Sequence, residues 1–154
     1  MDSEVNMFER FTEQSRLIIV EAQHEARRMR HNFVGTEQIL LGILADGENE
    51  AAMALSDVEI RLKAARQEVK QIIGLGSGTP DGEVPFTPRA KLALDAAIEE
   101  AEKLSGKDTP VEPRHLLVGL MHQSEGVAAV VIRKLATPSD DILQSFYRSF
   151  NRAA

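Results

Sequence analysis

The chain has 154 residues, enough for one domain of ordinary size or two small halves that share a core. Hydrophobic residues make up 43% and charged residues 27%, which excludes a disordered polar chain and sets the expectation of a globular fold. There is no cysteine, so disulfides, thiolate nucleophiles and cysteine-based zinc sites are excluded, and a net charge of −6 argues against a nucleic-acid-binding surface.

The opening "MDSEVNMFERF" is acidic where a signal peptide is basic and then apolar, and no apolar run approaches the roughly 20 residues of a membrane helix. Thr12 can cap a first helix beginning at Glu13, because its hydroxyl oxygen accepts an otherwise orphan backbone N–H. Ile18, Ala22, Ala26 and Met29 then fall on one helical face, a stripe that seeks a core. The cluster "EARRMRH" at Glu25–His31 suits the negative end of that helix dipole, with a patch for an acidic protein as the alternative. Thr36 is placed to cap a second helix from Glu37. Leu62, Ala65, Val69, Ile72 and Ile73 form another stripe, as do Leu94, Ala97, Ile98, Ala101 and Leu104. Between them, "GLGSGTPDGEVP" at Gly74–Pro85 cannot continue a helix and reads as a linker. Ser139, followed by Asp140 and Asp141, can start the last helix. No segment alternates with period two, so no strand is expected.

The linker divides two copies of one pattern. Phe11-Thr12 matches Phe86-Thr87, Leu17 matches Leu92, Ala22 matches Ala97 and Glu25-Ala26 matches Glu100-Ala101, all at an offset of 75. A two-residue insertion changes the offset to 77, at which Leu40 matches Leu117, Gly42 matches Gly119, Glu48 matches Glu125 and Ala51-Ala52 matches Ala128-Ala129. The expected fold is all-α: two pseudo-symmetric four-helix repeats, eight helices, joined by the Gly/Pro-rich linker. The expected boundaries are a single domain over 1–154, with repeat one at 7–74, the linker at 75–85 and repeat two at 86–150.

Catalytic chemistry needs a nucleophile with its base, or a ligand set for a metal. His24, His31, His115 and His122 are the only histidines, and none belongs to a recognised metal-binding spacing, so structural or surface roles are expected. "GLGSG" lacks the last glycine of a dinucleotide fingerprint and follows a helix, and no Gly-Lys-Ser/Thr of a Walker loop occurs. The carboxylates fall mostly on polar helix faces, so the residues themselves indicate no active site.

The stretch "MFERFTEQSRLIIVEAQHEARRMRHNFVGTEQILLGILADGENEAA", with "VPFTPRAK" at Val84–Lys91, closely resembles the double-repeat amino-terminal domain of Clp chaperones, especially the ClpC type, from about Met7 to about Phe150. The resemblance implies a non-catalytic protein-binding module without cofactor or metal. Its implied partners are a Clp protease core or Clp ATPase and adaptor or substrate proteins, not nucleic acid or membrane. Since the chain ends at Ala154 without an ATPase module, it is similar to the small ClpT-like accessory proteins of plastids and cyanobacteria. The implied function is an accessory or adaptor-like subunit that modulates assembly or substrate delivery. The alternative is the substrate- or adaptor-receiving domain of a ClpC-type unfoldase. The implied location is the cytoplasm, or the plastid stroma for a mature organellar protein.

Some members of that family bind phosphorylated arginine in each repeat through a helix-starting Thr and the Glu of a "GTEH" motif. Carried over, these positions are Thr12 and Glu37 in the first repeat, with Gln38 in place of the His. In the second repeat Thr87 remains, but Pro113 and Arg114 replace the Thr and Glu, which implies that at most one pocket survives. Capping alone also accounts for Thr12 and Glu37.

Overall fold

Eight α-helices account for nearly all regular structure in the computed structural model, which describes residues 8–153: α1 Glu13–Arg28, α2 Thr36–Asp46, α3 Glu50–Asp57, α4 Leu62–Ile73, α5 Pro88–Ser105, α6 Pro113–His122, α7 Val127–Leu135 and α8 Ile142–Ala153. Met7, the expected first residue of repeat one, lies outside the described residues. The only β-pairing among them is two isolated parallel bridges, Phe11 with Val111 and Val34 with Phe86.

Local sequence accounts for most boundaries. Thr12 caps α1 by accepting the Ser15 N–H at 3.2 Å, and Thr87 caps α5 by accepting that of Ala90 at 3.1 Å. Pro88 and Pro113 stand in the first turns of α5 and α6, where no intrahelical N–H is lost. Replacing Thr12 or Thr87 by alanine should each cost about 1 kcal/mol, read as a lower midpoint in urea unfolding followed by circular dichroism. Two expected starts differ. Helix α2 begins one residue early, at Thr36 itself, with Gly35 as its cap residue. The Thr36 hydroxyl turns away and accepts the Ala128 N–H at 3.2 Å, across 92 residues of sequence. The last helix begins at Ile142, after Asp141 at φ 53°, rather than directly behind Ser139.

The expected stripes form the core. Ile18, Ala22, Ala26 and Met29 are buried, as are Ala65, Val69, Leu94, Ala97 and Ala101. Ile72 and Leu104 depart from their stripes, at 42% and 84% exposure, because both lie in the last turns of their helices. Helix α1 crosses α2 and α5 crosses α6 in the most extensive pairings of the fold. At each crossing a glycine, Gly42 or Gly119, faces the partner backbone.

The repeats are interlocked. Helix α4 of the first packs on α7 of the second, and α8 of the second packs on α3 of the first. The two bridges add matching backbone links: Thr12 N–H donates to Val111 O at 3.0 Å, and Thr87 N–H to Val34 O at 2.9 Å. Each α1-type helix therefore starts beside the α2-type helix of the other copy.

The segment after α4 is fastened to α1 along its length. The amides of Gly76 and Gly78 donate to Met29 O and Arg30 O at 2.8 and 3.0 Å, while Gln23 exchanges two hydrogen bonds with Val84. The arginine cluster serves this contact, since Arg27 binds Gly82 O at 2.6 Å and Arg30 binds Gly78 O at 3.2 Å. No single helix among the described residues is long and apolar enough to cross a membrane; α6 and α7, apolar together, meet at 97°.

Candidate functional site: a pocket between the repeats

Three helix starts converge on a cavity of about 260 Å³: Gly35–Glu37 of α2, Thr87 and Arg89 of α5, and Glu125–Val127 before and in α7. Each helix start leaves backbone N–H groups without intrahelical partners, so such a convergence favours an anion. At the α7 start Gly126 supplies no side-chain cap, the Ala128 N–H goes to the Thr36 hydroxyl, and the first turn has no acidic residue. Exposed Arg89 is a cation in the first turn of α5, where the dipole disfavours one, and no ion-pair partner is within reach among the described residues. It supplies the charge that an anionic ligand would meet.

Glu37 brings the opposite charge to the same cavity. Burial raises its carboxyl above the ordinary glutamate range, partly offset by its own backbone N–H and the nearby His31. No Lys or Arg among the described residues pairs with it. The carboxylate folds back over Gly35, and any side chain at position 35 would collide with it. Gln38 is fully buried: its Oε1 accepts the Gly35 N–H at 2.7 Å, and its Nε2 has no hydrogen-bond partner. In the second repeat His115 makes the same bond, its Nδ1 accepting the Glu112 N–H at 2.9 Å. Gln38 thus replaces a histidine without loss of the acceptor the turn requires. Burial lowers the His115 pKa, in keeping with that neutral acceptor role.

The sequence-expected residues are grouped differently from the expectation. Glu37 meets Thr87, from the other repeat, and not Thr12. Thr12 stands beside Val111, which leads through Glu112 into Pro113 and Arg114. The physical reason is the bridge pairing, which sets each α1-type start against the other copy's α2-type start. Arg114 does not face an open space: its backbone N–H and guanidinium both bind the Glu50 carboxylate, at 3.2 and 2.6 Å. Arg89 and Gly126 are site residues that the sequence reading missed. An arginine in a helix first turn was the available signal; nothing in the sequence marked Gly126.

A larger groove of about 510 Å³ runs along α1 over Phe8, Ile19 and Val20. It offers apolar area but fewer free polar groups, because Arg16 is held by the carbonyls of Phe8 and Glu9 and Arg27 by that of Gly82. Among the described residues no group of three or more His, Cys, Asp or Glu is placed to hold a metal.

Two interlocked four-helix copies with a pocket at their junction define a double-repeat helical domain. The chain matches the Clp repeat (R) N-terminal domain over residues 10–135, and it belongs to that family. It is 57% identical over 130 residues to the ATP-dependent Clp protease ATP-binding subunit ClpA homolog of Cyanidium caldarium, a match covering 84% of this chain and 15% of that protein. To chaperone protein ClpC1, chloroplastic, of Arabidopsis thaliana it is 53% identical over 135 residues, covering 87% of this chain and 14% of the other. The chain thus spans about 15% of the length of these relatives. Among solved structures it is similar to the N-terminal domain of the caseinolytic protease associated chaperone ClpD from Arabidopsis thaliana, with a TM-score of 0.73, 24% identity, and coverage of 96% of this chain and 99% of that one; this likeness shows the fold.

Proposed function

We propose that this domain is a non-catalytic protein-recognition module of the Clp chaperone–protease system, and that its inter-repeat pocket receives a phosphorylated arginine side chain of an adaptor or substrate protein. The observation that carries the reading is the unpaired, desolvated carboxylate of Glu37 in a cavity also lined by Arg89 and three helix starts. A guanidinium offers a carboxylate two parallel N–H donors, and a phosphate suits both Arg89 and free helix amides. One ligand with both charges fits one pocket with both complements. Calorimetric titration with a phosphoarginine peptide tests this. Wild type should bind, Glu37→Ala should abolish binding, and Arg89→Ala should weaken it at least tenfold. Unchanged heat in the Glu37 variant, or none in wild type, would defeat the reading.

The module acts either in trans, as an accessory subunit that modulates assembly or substrate delivery, or in cis, as the receiving face of an unfoldase. Identity above 50% with ATP-binding subunits supports the cis placement, and the chain's span of about 15% of those relatives is compatible with either. Both place the chain with its relatives, in the plastid stroma or a bacterial-type cytoplasm. Native extract distinguishes them: recovery of the 154-residue chain bound to separate Clp subunits establishes the trans form, and an ATPase on the same native polypeptide establishes the cis form.

A further inference from the structure

The repeat offsets place a second pocket at the starts of α1, α6 and α3. Thr12 corresponds to Thr87, Pro113-Arg114 to Thr36-Glu37, and Asn49-Glu50 to Gly126-Val127, while Gln14 takes the place of Arg89. The changes at Asn49, Glu50 and Arg114 supply from within the chain groups that the first pocket lacks. Where Gly126 gives α7 no cap of its own and the Ala128 N–H is held from the other helix start by Thr36, α3 is capped by its own Asn49, whose Oδ1 accepts the Ala52 N–H at 2.8 Å. Where the first pocket has an unpaired carboxylate, the second has Arg114, and where the first has Val127, the second has the carboxylate that Arg114 binds.

We propose that the second pocket is occupied by the chain's own ion pair, Arg114 with Glu50, so that the domain takes a single guanidinium–phosphate ligand, at the α2/α5/α7 pocket. The inference rests on the ligand class proposed above. The Arg114 and Glu50 side chains are only 27% and 18% exposed, and the guanidinium lies over the Phe150 ring at 5.4 Å from its centroid. An incoming guanidinium would have to displace one that is already tethered, aligned and stacked. Tethering gives Arg114 an effective concentration that a free ligand does not reach, and removing it from Glu50 leaves a largely buried charge unpaired. An incoming phosphate would meet the Glu50 carboxylate at the amide of Arg114, and Gln14 brings no cation to oppose it.

The stoichiometry of phosphoarginine-peptide binding to the whole chain tests the proposal. Wild type should show one site per chain, and two sites would overturn the inference while leaving the proposed function intact. The variant Gln14→Arg/Glu50→Val/Arg114→Glu, which gives the second pocket the charge pattern of the first, should raise the count to two if it melts cooperatively. Adding Glu37→Ala should then return it to one. A cooperatively folded triple variant with a single site would overturn the proposal. If wild type binds nothing, the proposed function fails, and the self-pairing is read separately. The Arg114 guanidinium proton resonances should be protected from exchange in wild type and lost in Glu50→Gln. Equal exchange in both would overturn the self-pairing.

Discussion

Gly42→Ala should lower the stability of the domain by about 3 kcal/mol or more, the upper range for a group forced into a packed interior, and Gly119→Ala should do the same. In an exposed helix this substitution stabilises by about 1 kcal/mol, because alanine is the better helix former. The sign is therefore decisive. A Cβ at position 42 would stand 2.5 Å from Ile18 O and 2.9 Å from Ala22 N, both backbone atoms of α1. At position 119 it would collide with Ala93 O and stand 3.0 Å from Ala97 N of α5. Backbone cannot rotate aside as a side chain can, so two helices that cross in close contact must separate, and the neighbouring Ile39, Leu40 and Ile43 lose packing with them. At roughly 2–4 °C per kcal/mol for a chain of this size, each variant should melt about 10 °C lower. The double variant should fall by about the sum, since the crossings are separate. A Gly42→Ala protein that melts at or above the wild-type temperature would show that the helices do not approach this closely.

The two glycines also mark how far the fold was legible in the sequence. Their recurrence, and the stripes of Ile18, Ala22 and Ala26 and of Leu94, Ala97 and Ala101, follow from local periodicity, so eight helices in two copies could be read directly. The exchange of α4 and α8 between copies could not. The face that buries Ala65 and Val69 reads the same whether it meets its own repeat or the other, because periodicity specifies which face is apolar and not what covers it.

The same gap explains the regrouped pocket. Glu37 was identifiable as a charged residue at a helix start, but its companions Thr87, Arg89 and Gly126 arrive from other parts of the chain through the Val34–Phe86 bridge and the Thr36–Ala128 contact. A cap is a local signal, and Thr12 was read correctly as one. Thr36 carries the same signal, yet the helix starts one residue earlier: the Gln38 and Ile39 amides turn to Gly35 O, and the Thr36 hydroxyl accepts from Ala128 in the second repeat. Tertiary demand overrides the local pattern where two copies meet.

Glu37→Gln should raise the stability of the free domain at neutral pH while removing its affinity for phosphoarginine. Burial is the main cause of the raised Glu37 pKa, so the folded state holds the proton more tightly than the unfolded state, where glutamate titrates near about 4.3. Below that value the side chain is protonated in both states and its charge costs nothing. As pH rises through the folded pKa, the carboxylate must ionise in a site that solvates it poorly, and stability falls. Glutamine keeps the size and the acceptor oxygen without the charge. The melting-temperature advantage of the variant should therefore be largest near pH 7 and shrink toward pH 4. His31 is the charged group that acts on it, in the lowering direction, while Arg89 and Glu125 line the same cavity; its own desolvation dominates. A guanidinium ligand reverses the balance by pairing the carboxylate, so in wild type alone the ligand should raise the melting temperature at pH 7. An advantage for glutamine that grows on acidification, or a variant less stable than wild type at pH 7, would mean that Glu37 serves the fold as a cap. The expected pattern, less stable alone and rescued by ligand, is that of a side chain held under strain for binding.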